Sequence, residues 1–512
     1  MNDILIAAAL AASMLGSLLL TPAVRFIALR LGFVDAPDAH RKIHATATAL
    51  GGGVAVLAGV ACGVLPALLI PSLTGQLITG HPWELIGVAL AVLIICLVGL
   101  WDDRCRLSAR HKLIGQVAAA SIVAYSGLAI EHVTLAGTTF ELGWLSVPIS
   151  VFWLVLCINA LNLIDGADGL AAVVGIILCG TITCTAFTLQ NELVAFAGAS
   201  LTGSLLGFLR YNRPPATIFL GDAGSMSIGL LAGSLTIHSS IKGAAAYAMF
   251  APLAMWLIPL MDVGMAVVRR KLTGRGLSVT DRSHLHHCLL DRGLTQNQLL
   301  GVIGALCLFC GLGAWLSVRF ANGWFALVSA VAVMGFLIFR RLFGHVELQL
   351  AGQHLVNLRR NYFPGGKSTS STIWQSKIRM QGVRPWEELW AFLVERAEHL
   401  SIAKLTLDLN LPWLHEGFHA NWENNRPRAS RPLPRLSWPL TSGDRTIGSL
   451  SIVGDANTEQ ILWLKEVVEF LASVQARIRA IEELPTTRGE LKNLNGDSLA
   501  PFAAQEESVP NL

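Results

Sequence analysis

Eleven apolar runs follow one another through residues 1–340 of this 512-residue chain. Each is close to the roughly 20 residues that a helix needs to cross a bilayer. They lie at about 4–21, 50–70, 84–101, 113–130, 147–164, 170–189, 193–209, 223–239, 246–268, 299–318 and 324–339. In hydrocarbon a backbone must satisfy its own hydrogen bonds, so runs of this length and spacing predict a bundle of membrane helices. The first run lacks a basic leader and a small-residue cleavage site, and it is read as a retained helix. Only 14% of the chain is charged, against about 25% in an average soluble domain.

Basic residues in short loops orient such a bundle. With Arg25, Arg30, Arg41 and Lys42 in the cytoplasm, alternation places Arg104, Arg106, Arg110, Lys112, Arg210, Arg213, Arg269–Lys271, Arg275, Arg282, Arg292, Arg340 and Arg341 there too. Only Lys242 and Arg319 fall outside. The expected topology is multi-pass in the inner membrane, N-terminus outside, C-terminus and every acidic motif cytoplasmic. The net charge of +4 is mild and gives no reason to expect nucleic acid.

The acidic motifs are the chemistry-bearing feature. Carboxylates at a membrane boundary are costly unless water, a partner or a metal compensates them. Asp102 and Asp103 close one run; they read as metal ligand, base or orienting group, or as a helix end paired with Arg104 or Arg106. Asn162, Asp165 and Asp168 fall at i, i+3 and i+6 in N-A-L-N-L-I-D-G-A-D-G-L, a polar strip or a polar junction between spans. Asp222 sits between glycines in F-L-G-D-A-G-S, where a phosphate–magnesium complex or a simple helix cap fits. His284, His286 and His287 lie in a basic loop and suit an anion; zinc through His284 and His287 is the alternative. The glycines 51–53 after His40, Lys42 and His44 suit either an approach to phosphate or close helix packing. The nine cysteines, Cys307-x-x-Cys310 included, read as buried small apolar residues.

The ordered set G-G-G, W-D-D, N-A-L-N-L-I-D-G-A-D-G-L, F-L-G-D-A-G-S and D-R-S-H-L-H-H resembles the polyprenyl-phosphate N-acetylhexosamine-1-phosphate transferase family over roughly residues 1–340. The D-R-x-H-L-H-H form looks like its GlcNAc-1-phosphate branch. The resemblance implies transfer of a sugar-1-phosphate from a UDP-N-acetylhexosamine to undecaprenyl phosphate, with release of UMP. It implies Mg²⁺, with Mn²⁺ able to substitute, as cofactor. It implies metal ligation by Asp222 and Asp102, and catalytic roles for Asp102, Asp103 and Asp222. It places Asn162, Asp165, Asp168 and Phe219 at the nucleotide, Arg282, His284, His286 and His287 at the donor phosphates or sugar, and Lys42 at a phosphate. A homodimer is left open. An ion-coupled transporter and a sensor built on an inactive scaffold are the competing classes. Intramembrane transporter sites lie near the midplane, whereas these carboxylates cluster at one face.

Composition changes beyond about residue 345. The expected organisation is an all-α membrane domain over 1–344, a linker or amphipathic connector over 345–375, a small cytoplasmic α+β domain over 376–485 with a pattern similar to GAF modules, and a disordered tail over 486–512. Trp386, Leu389, Trp390, Leu393, Ala397 and Leu400 predict one helix face, and Leu464 to Ile481 another. Leu405, Leu407 and Leu409 predict a strand. Residues 438–453 predict a hairpin turning near Gly443-Asp444. All residues assigned to chemistry lie before 293.

Overall fold

The computed structural model describes residues 2–35, 47–68, 82–135, 138–241, 250–273, 284–362, 373–381, 384–400, 402–411, 416–424, 435–442, 445–454 and 460–482. The chain divides into two compact units, residues 1–267 with 284–344 and residues 268–283 with 345–512.

The first unit is a helix bundle. Its helices are α1 (Asn2–Arg30), α2 (Gly52–Leu68), α3 (Pro82–Cys105), α4 (Ala109–Tyr125), α5 (Ser146–Ile164), α6 (Leu170–Thr188), α7 (Glu192–Asn212), α8 (Gly221–Ile241), α9 (Phe250–Met255), α10 (Leu257–Thr273), α11 (Leu285–Leu290), α12 (Gln296–Arg319) and α13 (Trp324–Phe339). The last turns of α10 fall in the second unit. Two short ribbons accompany the helices: β1 (Val34–Asp35) with β2 (Thr48–Ala49), and β3 (His132–Leu135) with β4 (Thr138–Glu141). Among the described residues, six helices are long and apolar enough to cross a bilayer: Asp3–Arg30, Pro82–Cys105, Gly143–Ile164, Leu170–Thr188, Glu192–Asn212 and Gln296–Arg319.

The distribution of polarity is that of a membrane bundle. Leu90, Leu93 and Leu97 on α3, Leu308 and Leu312 on α12, and Val328 and Val331 on α13 point outward and are exposed. Ser13, Ser17 and Thr21 on α1 and Ser200 and Ser204 on α7 are buried. With lipid outside, apolar surface gains nothing by turning inward, and small residues that let backbones meet take the interior. At Gly203 and Gly207 of α7 a Cβ would collide with the α1 backbone at Leu10 and Met14. The chain is a polytopic, mainly helical membrane protein.

Two expected spans are corrected. The run 246–268 is two helices, α9 and α10, interrupted at Trp256; residues 242–249 lie outside the described residues. Pro259 has no N–H to give the Met255 carbonyl, so the helix breaks one turn before it. Trp256 and Leu260 still donate to Pro252 O and Trp256 O at 3.1 and 2.9 Å. The run 113–130 is helical over Ala109–Tyr125, starting after the extended Ser108 and ending before Gly127 at φ +110°. This earlier start puts Lys112 in the helix.

The second unit holds α14 (His345–Tyr362), β5 (Ile373–Gln381), α15 (Trp386–His399), β6 (Ile402–Leu411), β7 (Glu416–Asn424), β8 (Arg435–Ser442), β9 (Arg445–Gly454) and α16 (Gln460–Glu482). Residues 345–362, expected in a connector, form a helix whose Val346 and Leu350 pack on Leu272 of α10. The five strands form one antiparallel sheet in the order β5-β7-β6-β9-β8. Leu405, Leu407, Leu409, Phe418, Ala420, Trp422, Leu450 and Ile452 share a core with Trp386, Trp390, Val474 and Ile478 of α15 and α16. The buried Arg384 ties this layer together: its backbone N–H reaches Glu416 at 3.1 Å, and its guanidinium donates to the α16 carbonyl of Ile481 at 2.6 Å. Positive charge at a helix C-terminus meets the open carbonyls there. The Gly443-Asp444 turn and residues 486–512 lie outside the described residues, although Ser442 pairs with Arg445 on either side of that turn.

Candidate active site

The glycines at 51–53 serve packing. Ala49 bridges Ile218, Phe219 N donates to Ala49 O at 2.9 Å, and Gly52 and Gly53 donate to Phe219 O and Leu220 O at 2.9 Å. A Cβ on Gly53 would run into the Gly224 backbone. The two glycine-rich motifs are thereby zipped together, and the backbone of Phe219 is fixed by its neighbours.

The strip before α8 is then locked from α3. Asp103 accepts hydrogen bonds from the backbone N–H of Asp222 at 2.9 Å and of Ala223 at 3.4 Å. It caps, from another helix, N–H groups that a helix start leaves unpaired, and its charge suits the positive end of the dipole. Gly221 stands at φ +74°, and a Cβ there would come 2.7 Å from Asp103 Oδ2. Glycine is required at 221 on both counts. Asp102, the other member of the pair, accepts from Leu107 N at 2.6 Å.

Asp102 and Asp222 meet on Lys112. Its Nζ lies 2.9 Å from Asp102 Oδ2 and 2.6 Å from Asp222 Oδ2, and it also donates to Asn162 Oδ1 at 3.1 Å. Asn162 Nδ2 donates to Asp222 Oδ1 at 2.6 Å and to Ser225 Oγ at 3.0 Å. Four elements thus converge: the end of α3, the first turn of α4, the end of α5 and the first turn of α8. Asn159, one turn back from Asn162, exchanges hydrogen bonds with Gln116 of α4 at 2.7 and 3.3 Å, which holds α4 against α5 beneath the site. Arg104 and Arg106, considered as partners of the Asp102-Asp103 pair, are not the cations that approach it; Lys112 is, and sequence reasoning counted it only as a basic loop residue.

The donor set suits a divalent cation. No group of three His, Cys, Asp or Glu side chains converges among the described residues. Magnesium needs no such group, because it is held by one or two carboxylates and completes its shell with water and phosphate oxygens. Asp102 and Asp222 already share one positive charge between them.

The loop after α5 carries the other two carboxylates, and they do different things. Asp168 is buried, and its Oδ2 accepts from Ala216 N at 2.9 Å, so it ties this loop to the 214–217 segment. This bond makes Asp168 an anchor of the loop that also carries Asp165. Asp165 keeps part of its surface open at the loop. Burial, and then the charges of Asp222, Asp103 and Asp168, push its carboxyl well above the usual carboxylate range. An unfolded aspartate ionises near ~3.9, whereas the folded one still holds its proton above that pH. Native stability is therefore lost as pH rises from there through the folded value. Asp165→Asn, which cannot ionise, is expected to gain stability over the native chain as pH rises above about 4, so that its advantage is larger at pH 8 than at pH 5. Thermal midpoints in detergent across that range check this; a difference independent of pH contradicts it.

The histidine row packs against the same loop. A Cβ on Gly166 would lie 2.5 Å from His286 Nε2. His286 and His284 are stacked with 6.0 Å between ring centroids and 5° between planes, and His287 lies 4.2 Å from His286. Burial first, then His287 and His284, lowers His286 to about 3, so its ring is neutral at pH 7. Behind the row, Asp262 of α10 accepts from His284 Nδ1 at 3.1 Å and Leu285 N at 2.8 Å. Lys42 and Arg282 lie outside the described residues.

The family described as glycosyl transferase family 4 matches residues 85–240, the stretch that supplies Asp102, Asp103, Lys112, Asn162 and Asp222. The chain is 32% identical over 317 residues to a probable undecaprenyl-phosphate N-acetylglucosaminyl 1-phosphate transferase of Bacillus subtilis, covering 62% of this chain and 85% of that one. It is 34% identical over 336 residues to a decaprenyl-phosphate N-acetylglucosaminephosphotransferase of Mycolicibacterium smegmatis, covering 61% and 82%. A phospho-N-acetylmuramoyl-pentapeptide-transferase of a Synechococcus strain is 34% identical over 322 residues, covering 60% and 89%. At this identity and coverage, the chain belongs to the polyprenyl-phosphate N-acetylhexosamine-1-phosphate transferase family.

Proposed function

We propose that this protein transfers GlcNAc-1-phosphate, or a closely related N-acetylhexosamine-1-phosphate, from its UDP-sugar to undecaprenyl phosphate and releases UMP. The product lipid would open a cell-surface polysaccharide pathway. The observation that carries the reading is the meeting of Asp102, Lys112, Asn162 and Asp222 at the ends of four helices. In the reaction an oxygen of the lipid phosphate attacks the β-phosphorus of the donor. One P–O bond forms, the bond from that phosphorus to the bridging oxygen breaks, and UMP leaves with that oxygen. One phosphoanhydride replaces another, so the obstacle is repulsion between anions rather than bond energy. Positioning and charge neutralisation are what such a step needs.

Asp102 and Asp222 would hold Mg²⁺, which supplies positive charge to the phosphate oxygens. Lys112 adds a fixed ammonium beside the same carboxylates. Asn162 orients Asp222, and Asp103 acts by holding the start of α8 rather than by touching the reactants. Asp165, with the row His284, His286 and His287, faces the donor. Membranes containing the protein are expected to release UMP and form a sugar-diphospholipid from undecaprenyl phosphate, Mg²⁺ and UDP-GlcNAc. A panel of UDP-sugars that yields neither product contradicts the reading.

The membrane half would span eleven times, with the N-terminus outside and this site in the cytoplasm, because the basic loops lie on that side. Cysteines placed at Asp102 and Asp165 in a cysteine-free background are expected to resist impermeant maleimide added to sealed cells. They should react in inverted vesicles, and labelling of intact cells contradicts the topology.

A further inference from the structure

The carboxylate of Asp262 stands inside an otherwise apolar stretch, L-I-P-L-M-D-V-G-M-A-V-V, and is 1% exposed. A lone acid there is costly, so it must be compensated by what it holds. Both of its oxygens are committed: Oδ1 to the backbone N–H of Leu285 at 2.8 Å, and Oδ2 to His284 Nδ1 at 3.1 Å. The first contact caps the start of α11. The second has a chemical consequence. A carboxylate only accepts, so the proton of His284 is held on Nδ1. Which nitrogen of a histidine is free is set by the bond the other one makes. His284 Nε2 has no hydrogen-bond partner among the described residues, and its ring lies parallel to His286, which abuts Gly166 beside Asp165.

We propose that Asp262 is the positioning residue of the histidine row, fixing the ring plane and the Nδ1–H form of His284 so that Nε2 is left for the sugar-nucleotide. This rests on the donor-facing role given to His284 under the proposed function. Asp262 acts through His284 and touches no reactant.

Asp262→Asn separates this role from a structural one. The amide oxygen can keep the Leu285 N–H, so the cap survives. The amide nitrogen donates, so it forces His284 Nδ1 to accept and moves the proton to Nε2. The expected result is a donor KM raised on the order of tenfold, with the KM for undecaprenyl phosphate and the thermal midpoint unchanged. In a His284→Ala background, Asp262→Asn should add nothing further. Asp262→Glu, which keeps an acceptor, should recover much of the donor KM. Equal effects of Asp262→Asn with and without His284, or equal shifts in both substrates' KM values, overturn the proposal. A readout without turnover keeps it apart from the functional reading. In ¹⁵N-histidine spectra, the resonances lost in His284→Ala should report a proton on Nδ1 in the native chain and a bare Nδ1 in Asp262→Asn. A native His284 with a bare Nδ1 overturns the proposal, whichever sugar is transferred and even if the Asn variant does not fold. Failure of the native chain to transfer from any UDP-sugar, with the expected spectrum, counts against the functional reading alone.

Discussion

Asp222→Asn is expected to lower turnover by about three orders of magnitude while leaving the chain folded. The asparagine keeps the shape at the start of α8, and its backbone N–H still meets Asp103, whose 2.9 Å hydrogen bond does not involve the 222 side chain. Only the charge is lost. That charge is one of the two that face Lys112 Nζ, at 2.6 Å, and one of the two proposed to hold Mg²⁺. Removing a single preorganised electrostatic contact to a transition state costs about 10²–10³ in rate. Here the same change also weakens metal binding, so the deficit should deepen as Mg²⁺ is lowered. Turnover as a function of Mg²⁺ for both forms, normalised to correctly folded protein, is the measurement. A variant that turns over normally at low Mg²⁺ removes Asp222 from the metal site.

The sequence made the membrane half legible because hydrocarbon leaves a chain few options. The apolar runs mark helices, and polar residues at their ends mark the face where they meet. The carboxylates Asp102, Asp103, Asp165, Asp168 and Asp222 read in this way as one face of the protein, and of them Asp102 and Asp222 meet, with Asn162, on Lys112. What the sequence concealed was the division of labour among look-alike carboxylates. Asp168 and Asp165 stand three residues apart in one motif, yet the former is buried and bonds Ala216 while the latter stays half-buried beside Asp222 and Asp103. Asp103 and Asp102 are adjacent, yet one caps α8 while the other reaches Lys112. These roles depend on which foreign backbone N–H arrives at each oxygen, and that is fixed by helix packing rather than by spacing. Asp262 left a trace, a single charge within a run otherwise apolar. Its partner His284 lies 22 residues on in sequence, so the trace pointed to no partner. In the second unit, alternation at 405–409 revealed β6, but β5 and β7 escaped. The run W-Q-S-K-I-R-M-Q of β5 is mostly polar, and its alternating apolar positions Trp374, Ile378 and Met380 are interrupted by Ser376. In β7 the second face carries His419 and Asn421, whose side chains bond each other at 2.9 Å, so it does not read as a simple solvent face.

Lys112→Met should separate two roles that one ammonium performs in the native chain. Nζ is the positive charge between Asp102 and Asp222, and the lysine side chain is only 18% exposed. Breaking an exposed ion pair costs up to about 1 kcal/mol, whereas stripping the partner from a buried one costs about 3–5 kcal/mol. At this burial the loss should fall toward the larger figure, because two carboxylates are left facing each other and Asn162 alone cannot neutralise them. Methionine fills similar volume, so the deficit is electrostatic and should respond to added cation. The Mg²⁺ proposed to bind where the carboxylates converge would stabilise the folded form increasingly as its concentration exceeds its dissociation constant. The thermal midpoint of Lys112→Met should therefore rise more steeply with Mg²⁺ than that of the native protein. Transfer should nevertheless stay at least about 10²-fold down, since the metal restores charge between the carboxylates but not the second cation beside the phosphates. If Mg²⁺ instead restores both stability and turnover, Lys112 is only a placeholder for the metal. If it restores neither, the two carboxylates do not hold a divalent ion, and the metal must be sought elsewhere along the Asp165–His286 side of the site.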